Sequence, residues 1–499
     1  MNAAYGVTAV VLVMLAAVLI GTFGVRLSRT TSDFYVASRT VSPLWNASAI
    51  GGEYLSAASF LGVAGLILTY GVDMLWLPVG WTGGYLVLLV LVSAPLRRSG
   101  AYTLPDFAEA RLESMAVRRL AGVLVVLIGW LYLMPQFQSA GLVLRAITGA
   151  PEWMGGSLVA VVVAVNVVSG GMRSITFVQA FQYWLKLTAL AVPVVFLLVA
   201  WRADGAPGLS AGDAATWALP LASGKEYGLY STYSLILATF LGTMGLPHVL
   251  VRFYTNPDGR AARRTTLVVL SLLGVFYLLP AVYGALGRVY APELSGGDTV
   301  VLALPGRVVG GVVGDLLGAL VTAGAFAAFL STSSGLTVSV AGVIGQDILK
   351  GGVRSFRAAA VVAVVVPLGL ATWARTLPVA DVVGLAFAVA ASSFCPLLVL
   401  GIWWRRLTSA GAMAGLLAGG GLACGAVLLT IGGGPHTGLA GALLAQPAAW
   451  TVPVAFGVMI VVSLLTPGRI PPGVARTMVR LHTPETLNLD RGDWRPRSP

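Results

Sequence analysis

Apolar residues in this chain do not alternate with polar ones. They run in long blocks joined by short polar connections, from about residue 5 to about residue 466. Blocks of about 20 apolar residues match a bilayer crossed by a helix. About thirteen are present, at roughly 5–25, 43–70, 74–96, 120–146, 154–170, 175–201, 229–251, 266–289, 309–346, 358–374, 379–403, 410–431 and 450–466. They are numbered spans 1 to 13 below, and they predict an all-α polytopic membrane protein.

Two spans are interrupted at mid-depth. Span 2 carries Gly51-Gly52-Glu53, and span 7 carries Gly242-Thr243-Met244-Gly245-Leu246-Pro247-His248. Freed backbone groups are tolerated in hydrocarbon only where they meet protein, water or an ion, so such interruptions mark half-helices. The two lie five spans apart, and an odd offset inverts one relative to the other. Spans 2 to 6 (about 43–201) and 7 to 11 (about 229–403) are therefore expected to form two inverted five-helix repeats with the breaks side by side. Span 1 and spans 12 and 13 are peripheral. The segment 103–117, with Pro105, Asp106, Phe107, Glu109, Arg111 and Leu112, predicts a short amphipathic cytoplasmic helix. A transmembrane domain over 1–467 and a disordered cytoplasmic tail over 468–499, rich in Pro and Arg, complete the expected organisation.

Composition agrees: 57% of the 499 residues are hydrophobic and 10% charged, with a mean hydropathy of +0.87. The net charge of +12 could suggest nucleic acid, but its placement argues otherwise. About 24 of the 31 Lys and Arg fall in alternate connections: Arg26, Arg29 and Arg39; Arg97, Arg98, Arg111, Arg118 and Arg119; Arg173; Arg252, Arg260, Arg263 and Arg264; Lys350, Arg354 and Arg357; Arg405 and Arg406; and the tail. The intervening connections hold Arg202, Lys225, Arg288, Arg307 and Arg375. This positive-inside alternation places the amino terminus outside and the carboxyl terminus in the cytoplasm of a cell membrane. Span 1 has no basic residue before it and no small-residue cleavage site after it, so it is read as a retained helix. Cys395 and Cys424 lie in apolar spans and read as buried thiols.

Glu53 is the first candidate for chemistry, because an ionisable group at membrane depth normally faces a cavity or an ion path. Span 9 holds a second, in Ala327-Ala328-Phe329-Leu330-Ser331-Thr332-Ser333-Ser334. The Ala328 carbonyl and the Ser331 and Thr332 hydroxyls fall within one helical turn, and the turn of span 2 could add the Gly52 and Leu55 carbonyls. Neutral oxygens suit a monovalent cation that must be released each cycle. The competing reading is that these hydroxyls bond back to their own helix.

The stretches Ser32-Asp-Phe-Tyr-Val-Ala37, Gly52-Glu-Tyr-Leu-Ser-Ala-Ala-Ser-Phe-Leu-Gly62 and Gly242-Thr-Met-Gly-Leu-Pro-His-Val-Leu-Val-Arg-Phe-Tyr-Thr255 resemble the sodium:solute symporter family, and within it the cation/acetate (monocarboxylate) branch. The resemblance runs from about residue 5 to 466. It implies the inverted five-plus-five, LeuT-like fold of amino-acid transporters, with discontinuous helices and sodium held where spans 2 and 9 meet. Carried over by position, the sodium ligands are the Gly52, Leu55 and Ala328 carbonyls and the Ser331 and Thr332 hydroxyls. Gln179 departs from the aspartate many relatives place there, which removes a possible cation-facing charge.

Lys186 lies about two turns beyond Gln179 inside span 6. It could replace or relay a cation, or it could snorkel to an interface or pair with Glu53. For a substrate, the half-helix starts at the two breaks suit a small carboxylate. The candidates lining such a pocket are Ser56, Ser59 and Phe60 on span 2, Tyr132 and Gln136 on span 4, and Thr239, Thr243 and Gly245 on span 7, with helix packing as the competing role of each. His248 reads as a gate or packing residue, since no second metal ligand stands at ligand spacing. No P-loop, HExxH or nucleophile-base-acid set is present, so neither ATP drive nor catalysis is expected. The combined expectation is a secondary active symporter, without a cofactor, that couples inward sodium flux to uptake of a small monocarboxylate such as acetate. A proton-coupled or different-solute symporter (proline, pantothenate or another organic acid) and a passive anion channel are the alternatives.

Overall fold

The computed structural model describes residues 3–25, 41–221, 226–294, 298–349, 351–373, 379–433 and 437–487. The stretch 32–37, the residues Arg26, Arg29, Arg39, Lys225, Lys350 and Arg375, and the tail from 488 onward lie outside them. Among the described residues, 11 helices are long and apolar enough to cross a membrane. Two of them each contain two of the thirteen expected spans. Residues 58–98 carry the second half of span 2 and all of span 3, joined by a 3-10 turn at Gly71–Leu75. Glu152–Ala203 carries spans 5 and 6, which meet at Gly171. There φ is 57° and ψ is −152°, a backbone that only glycine adopts without strain.

Both interrupted spans are broken, each slightly later than the glycines suggest. The first half of span 2 runs Pro43–Tyr54 and passes through Gly51 and Gly52 as regular helix. It stops at Leu55, whose φ of −75° and ψ of 83° leave the helical region, and the span resumes beyond Ser56. The glycine pair serves packing instead. A Cβ on Gly52 would lie 2.1 Å from the Gln179 backbone oxygen, so span 6 can approach only because that position has no side chain. Span 7 runs Gly228–Gly245, turns extended at Leu246 (ψ 117°) and continues as Pro247–Val251. Pro247 causes this break: it lacks an N–H and disfavours helical backbone in the residue before it.

Gly311–Val343 (most of span 9) packs along Glu152–Ala203, and Pro43–Tyr54 packs against the same long helix, so spans 2, 6 and 9 enclose the region around Glu53. On the other side, span 7 lies between Trp76–Val87 and Val379–Trp403.

Two peripheral expectations need correction. The helix at 103–117 forms as Leu104–Leu112 with a Thr103/Asp106 capping box, but it is buried rather than interfacial. Arg111, assigned from sequence to a polar connection, donates to the Gly401 (2.7 Å) and Trp404 (3.0 Å) carbonyls. Within the stretch expected to be a disordered tail, Val474–His482 is helical and turns Met478 and Leu481 inward. Arg480 bonds the Arg98 carbonyl, Glu485 pairs with Arg98, and Glu113 accepts from Gly473 N–H, so the segment is tied down at three points.

Candidate functional site: a broken helix around a lysine

Glu53 is buried on the last turn before the break in span 2. Its carboxylate is bonded by Arg252 Nε at 2.7 Å, so the break of span 2 is tied to the end of the broken helix of span 7. Arg252, counted from sequence with the cytoplasmic basic residues, is 1% exposed. Its other nitrogens donate to Thr176 Oγ1 (2.8 Å) and to Gln179 Oε1. Gln179 in turn donates to the Ser331 carbonyl at 2.7 Å, and Thr332 Oγ1 donates to the Glu53 carbonyl at 2.6 Å. An aspartate at 179 could accept from Arg252 but could not donate to Ser331, which gives the glutamine a physical reason. Gly335 makes the space, since a Cβ there would lie 2.1 Å from Glu53 Cδ.

The oxygens expected to bind sodium do converge, and a lysine stands among them. Lys186 Nζ bonds the Gly52 carbonyl, the Leu55 carbonyl (2.7 Å) and Ser331 Oγ (3.0 Å). Lys186 is wholly buried and neither snorkels nor bonds Glu53. The other two expected ligands are differently engaged: the Ala328 carbonyl accepts from Ser331 Oγ at 3.1 Å, and the Thr332 hydroxyl bonds the Glu53 backbone.

The expected substrate residues divide. Ser56 sits in the non-helical turn of span 2 with its Oγ buried and, among the described residues, without a hydrogen-bond partner. Beside it, Ala57 N–H donates to Gln136 Oε1 at 3.0 Å, so one freed amide is already capped by a side chain. Tyr132 stands edge-on to His248 (5.3 Å between ring centres) and against Phe387 (5.9 Å). Ser59 bonds the Tyr277 hydroxyl at 3.0 Å, and Thr243 bonds the Tyr54 hydroxyl at 2.6 Å. The other three have packing or intrahelical partners. Phe60 lies against Phe276 and beneath Gly324, Thr239 bonds back to Leu235, and Gly245 lets the Ala390 carbonyl approach.

Sequence reading missed the rings that close this space. Phe387 on span 11 touches Tyr54, Trp81 and Tyr132, while Tyr85 stands edge-on to Tyr54 and Trp81 stacks toward Tyr277. Trp81 Nε1 and Tyr85 OH are buried, like Ser56 Oγ, without partners among the described residues, and the same holds for both ring nitrogens of His248. The signal was available, because Trp81 and Tyr85 are one helical turn apart on span 3 and so share a face.

A family profile described as the sodium:solute symporter family matches residues 34–419. The chain belongs to the sodium:solute symporter family. An uncharacterized symporter, YwcA of Bacillus subtilis (strain 168), is 33% identical over 461 residues, covering 87% of this chain and 89% of that protein. A monocarboxylic acid transporter of Corynebacterium glutamicum is 33% identical over 436 residues, covering 79% and 78%. Among solved structures, a Na+-coupled sialic acid symporter in a substrate-bound outward-open state aligns with a TM-score of 0.70 at 13% identity, over 93% of this chain and 97% of that one. The nucleobase-cation-symport-1 family transporter Mhp1, in a closed conformation, aligns with a TM-score of 0.60 at 14% identity, over 90% and 98%. These likenesses show the inverted five-plus-five, LeuT-like fold.

Within that fold the geometry brings a charged trio to the junction of the breaks: Glu53 paired to Arg252, with Lys186 beside them. Their formal charges leave one net positive, set near a cluster of packed aromatic rings with buried polar atoms that lack partners among the described residues.

Proposed function

We propose that this protein is a secondary active symporter that imports a small monocarboxylate such as acetate, driven by an inward cation gradient. The observation that carries the substrate reading is the chamber at the break of span 2. There the buried, unpartnered Ser56 Oγ, Trp81 Nε1 and Tyr85 OH accompany the packed rings of Tyr54, Tyr132 and Phe387. A carboxylate needs donors and a short alkyl chain needs apolar walls, and both are here. Gln136 Oε1, accepting from Ala57 N–H, occupies the kind of position a substrate carboxylate oxygen would take. The monocarboxylate named for the Corynebacterium relative supports the same class.

Family membership supports sodium as the driving ion. A second reading, that the gradient is one of protons, is favoured by the Lys186 ammonium lying among the expected sodium ligands. In either case coupling is a difference in affinity between the outward- and inward-facing states. The alternation of Lys and Arg supports a cell membrane with the amino terminus outside and the carboxyl terminus in the cytoplasm.

Labelled acetate uptake into proteoliposomes, with sodium and proton gradients imposed separately, tests this. A symporter concentrates acetate under one of the gradients and not without it. Equilibration without accumulation would instead identify a passive anion channel, and accumulation of another solute in acetate's place would move the substrate to proline, pantothenate or a longer acid.

A further inference from the structure

We infer that Lys186 is the resident cation of the cage between spans 2, 6 and 9, and that this cage excludes sodium while the lysine is in place. The inference deepens the symporter reading and rests on it for its consequence in transport. Hydrogen-bond accounting carries it. The Gly52 and Leu55 carbonyls can only accept, so each needs an N–H from Nζ. Ser331 spends its own hydroxyl proton on the Ala328 carbonyl at 3.1 Å, so toward Nζ, 3.0 Å away, its oxygen also accepts. Nζ therefore stands within hydrogen-bond reach of three of the five oxygens expected to bind sodium, and its three N–H groups as an ammonium match them in number. The Lys186 nitrogen thus fills the space between these oxygens that a bound ion would need.

The charges around it do not call for a second cation. Span 2 contributes Glu53, whose Oε2 is paired with Arg252 of span 7 at 2.7 Å and whose Oε1 is buried without a partner among the described residues. Span 9 contributes only neutral groups, Ser331 and Thr332, and span 6 adds the amides of Gln179 and Gln182. A sodium ion drawn to the same carbonyls would have to displace the Lys186 nitrogen that already bonds them. The donor set expected for sodium thus does not fit sodium in the presence of Lys186. A tethered cation joins span 2 to span 9 as a bound ion would, but it cannot cross the membrane. The driving ion therefore does not travel through this cage as sodium.

The test is retention of radiolabelled sodium by the purified full-length protein in lipid nanodiscs. Wild type is expected to show no sodium retention that Ser331→Ala removes. Lys186→Ala vacates the cage and is expected to gain saturable retention, at least about tenfold above wild type, which the added Ser331→Ala abolishes. Wild-type retention that Ser331→Ala abolishes overturns the inference, as does a folded Lys186→Ala protein that gains none. Should Lys186→Ala fail to fold, the wild-type and Ser331→Ala comparison still decides. Acetate accumulation in proteoliposomes is read separately, so the symporter reading can fail or stand independently of the sodium result.

Discussion

At the scale of single residues, the burial of Arg252 decides more than any sequence motif. It serves Glu53, Thr176 and Gln179 at once, and none of these groups has water to fall back on. Removing one partner of a buried ion pair strands the other, at a cost of about 3–5 kcal/mol. Arg252→Ala is therefore expected to lower the thermal unfolding midpoint sharply. Arg252→Lys, which keeps the charge but lacks the planar fork that spreads donors toward Glu53, Thr176 and Gln179, should fall between. The midpoint in detergent, measured at one fixed scan rate, checks this. The sequence pointed to Glu53 because a carboxylate inside an apolar run stands out, whereas Arg252 follows His248-Val-Leu-Val and looks like an ordinary flanking charge. Only the break at Leu246 turns it inward. The chamber donors give a second prediction. If Ser56 and Trp81 hold the substrate carboxylate, then losing a hydrogen bond to a charged group, worth about 1.5–3 kcal/mol, should raise the acetate KM about 10- to 100-fold in Ser56→Ala and Trp81→Phe. Initial rates of uptake across a concentration series would show it, and an unchanged KM in both variants would remove them from the site.

At the scale of elements, the spans were legible because about 20 apolar residues have few other fates, and the two breaks were legible because Gly and Pro cluster there. Their positions were not, since a glycine pair in a helix reads equally as a hinge or as a place of close contact. Gly52 is the second kind, pressed against Gln179. The helix Leu104–Leu112 was legible as a helix and illegible as buried, because its charges are satisfied by distant residues. Arg118 bonds Asp106 (2.8 Å), Asp347 (2.7 Å) and Glu109, and so fastens this helix to span 4 and to the end of span 9. Three carboxylates share one guanidinium. Burial pushes the Asp106 carboxyl up to about 6, against the pull of Arg118. A raised acid pKa means that the folded protein binds more protons than the unfolded chain between pH of about 4 and 6, so stability falls as pH rises through that window. The contribution is at most about 3 kcal/mol. It should appear as a difference in slope between wild type and Asp106→Asn when melting temperature is plotted against pH. Parallel slopes would mean that Asp106 is already charged throughout.

At the scale of the whole molecule, the two faces flanking the breaks are unlike. Near one face, a cavity of about 110 Å³ opens between the end of span 2, the start of span 7 and the start of span 11, with Asp73, Met74 and Asp381 at its walls. Above it, the segment between spans 6 and 7 is held down, since Trp217 Nε1 donates to the Ile67 (2.7 Å) and Leu68 (3.0 Å) carbonyls. At the other face, Val474–His482 and Glu485 close over Arg98 and Gly259. The cavity at one face, with the C-terminal segment tied down at the other, makes entry from the cavity side the arrangement to test. The Lys and Arg alternation supports placing that side at the exterior, and this can be tested by labelling. In a background with Cys395 and Cys424 replaced by alanine, Met74→Cys should react with a membrane-impermeant maleimide added to intact cells. Val479→Cys, on the exposed face of the C-terminal helix, should react only after permeabilisation. The reverse pattern would invert the topology. Acetate at saturating concentration should then slow labelling at Met74→Cys if substrate binding shifts the population toward an inward-facing form, because the cavity walls belong to the same spans, 2, 7 and 11, that close around the chamber.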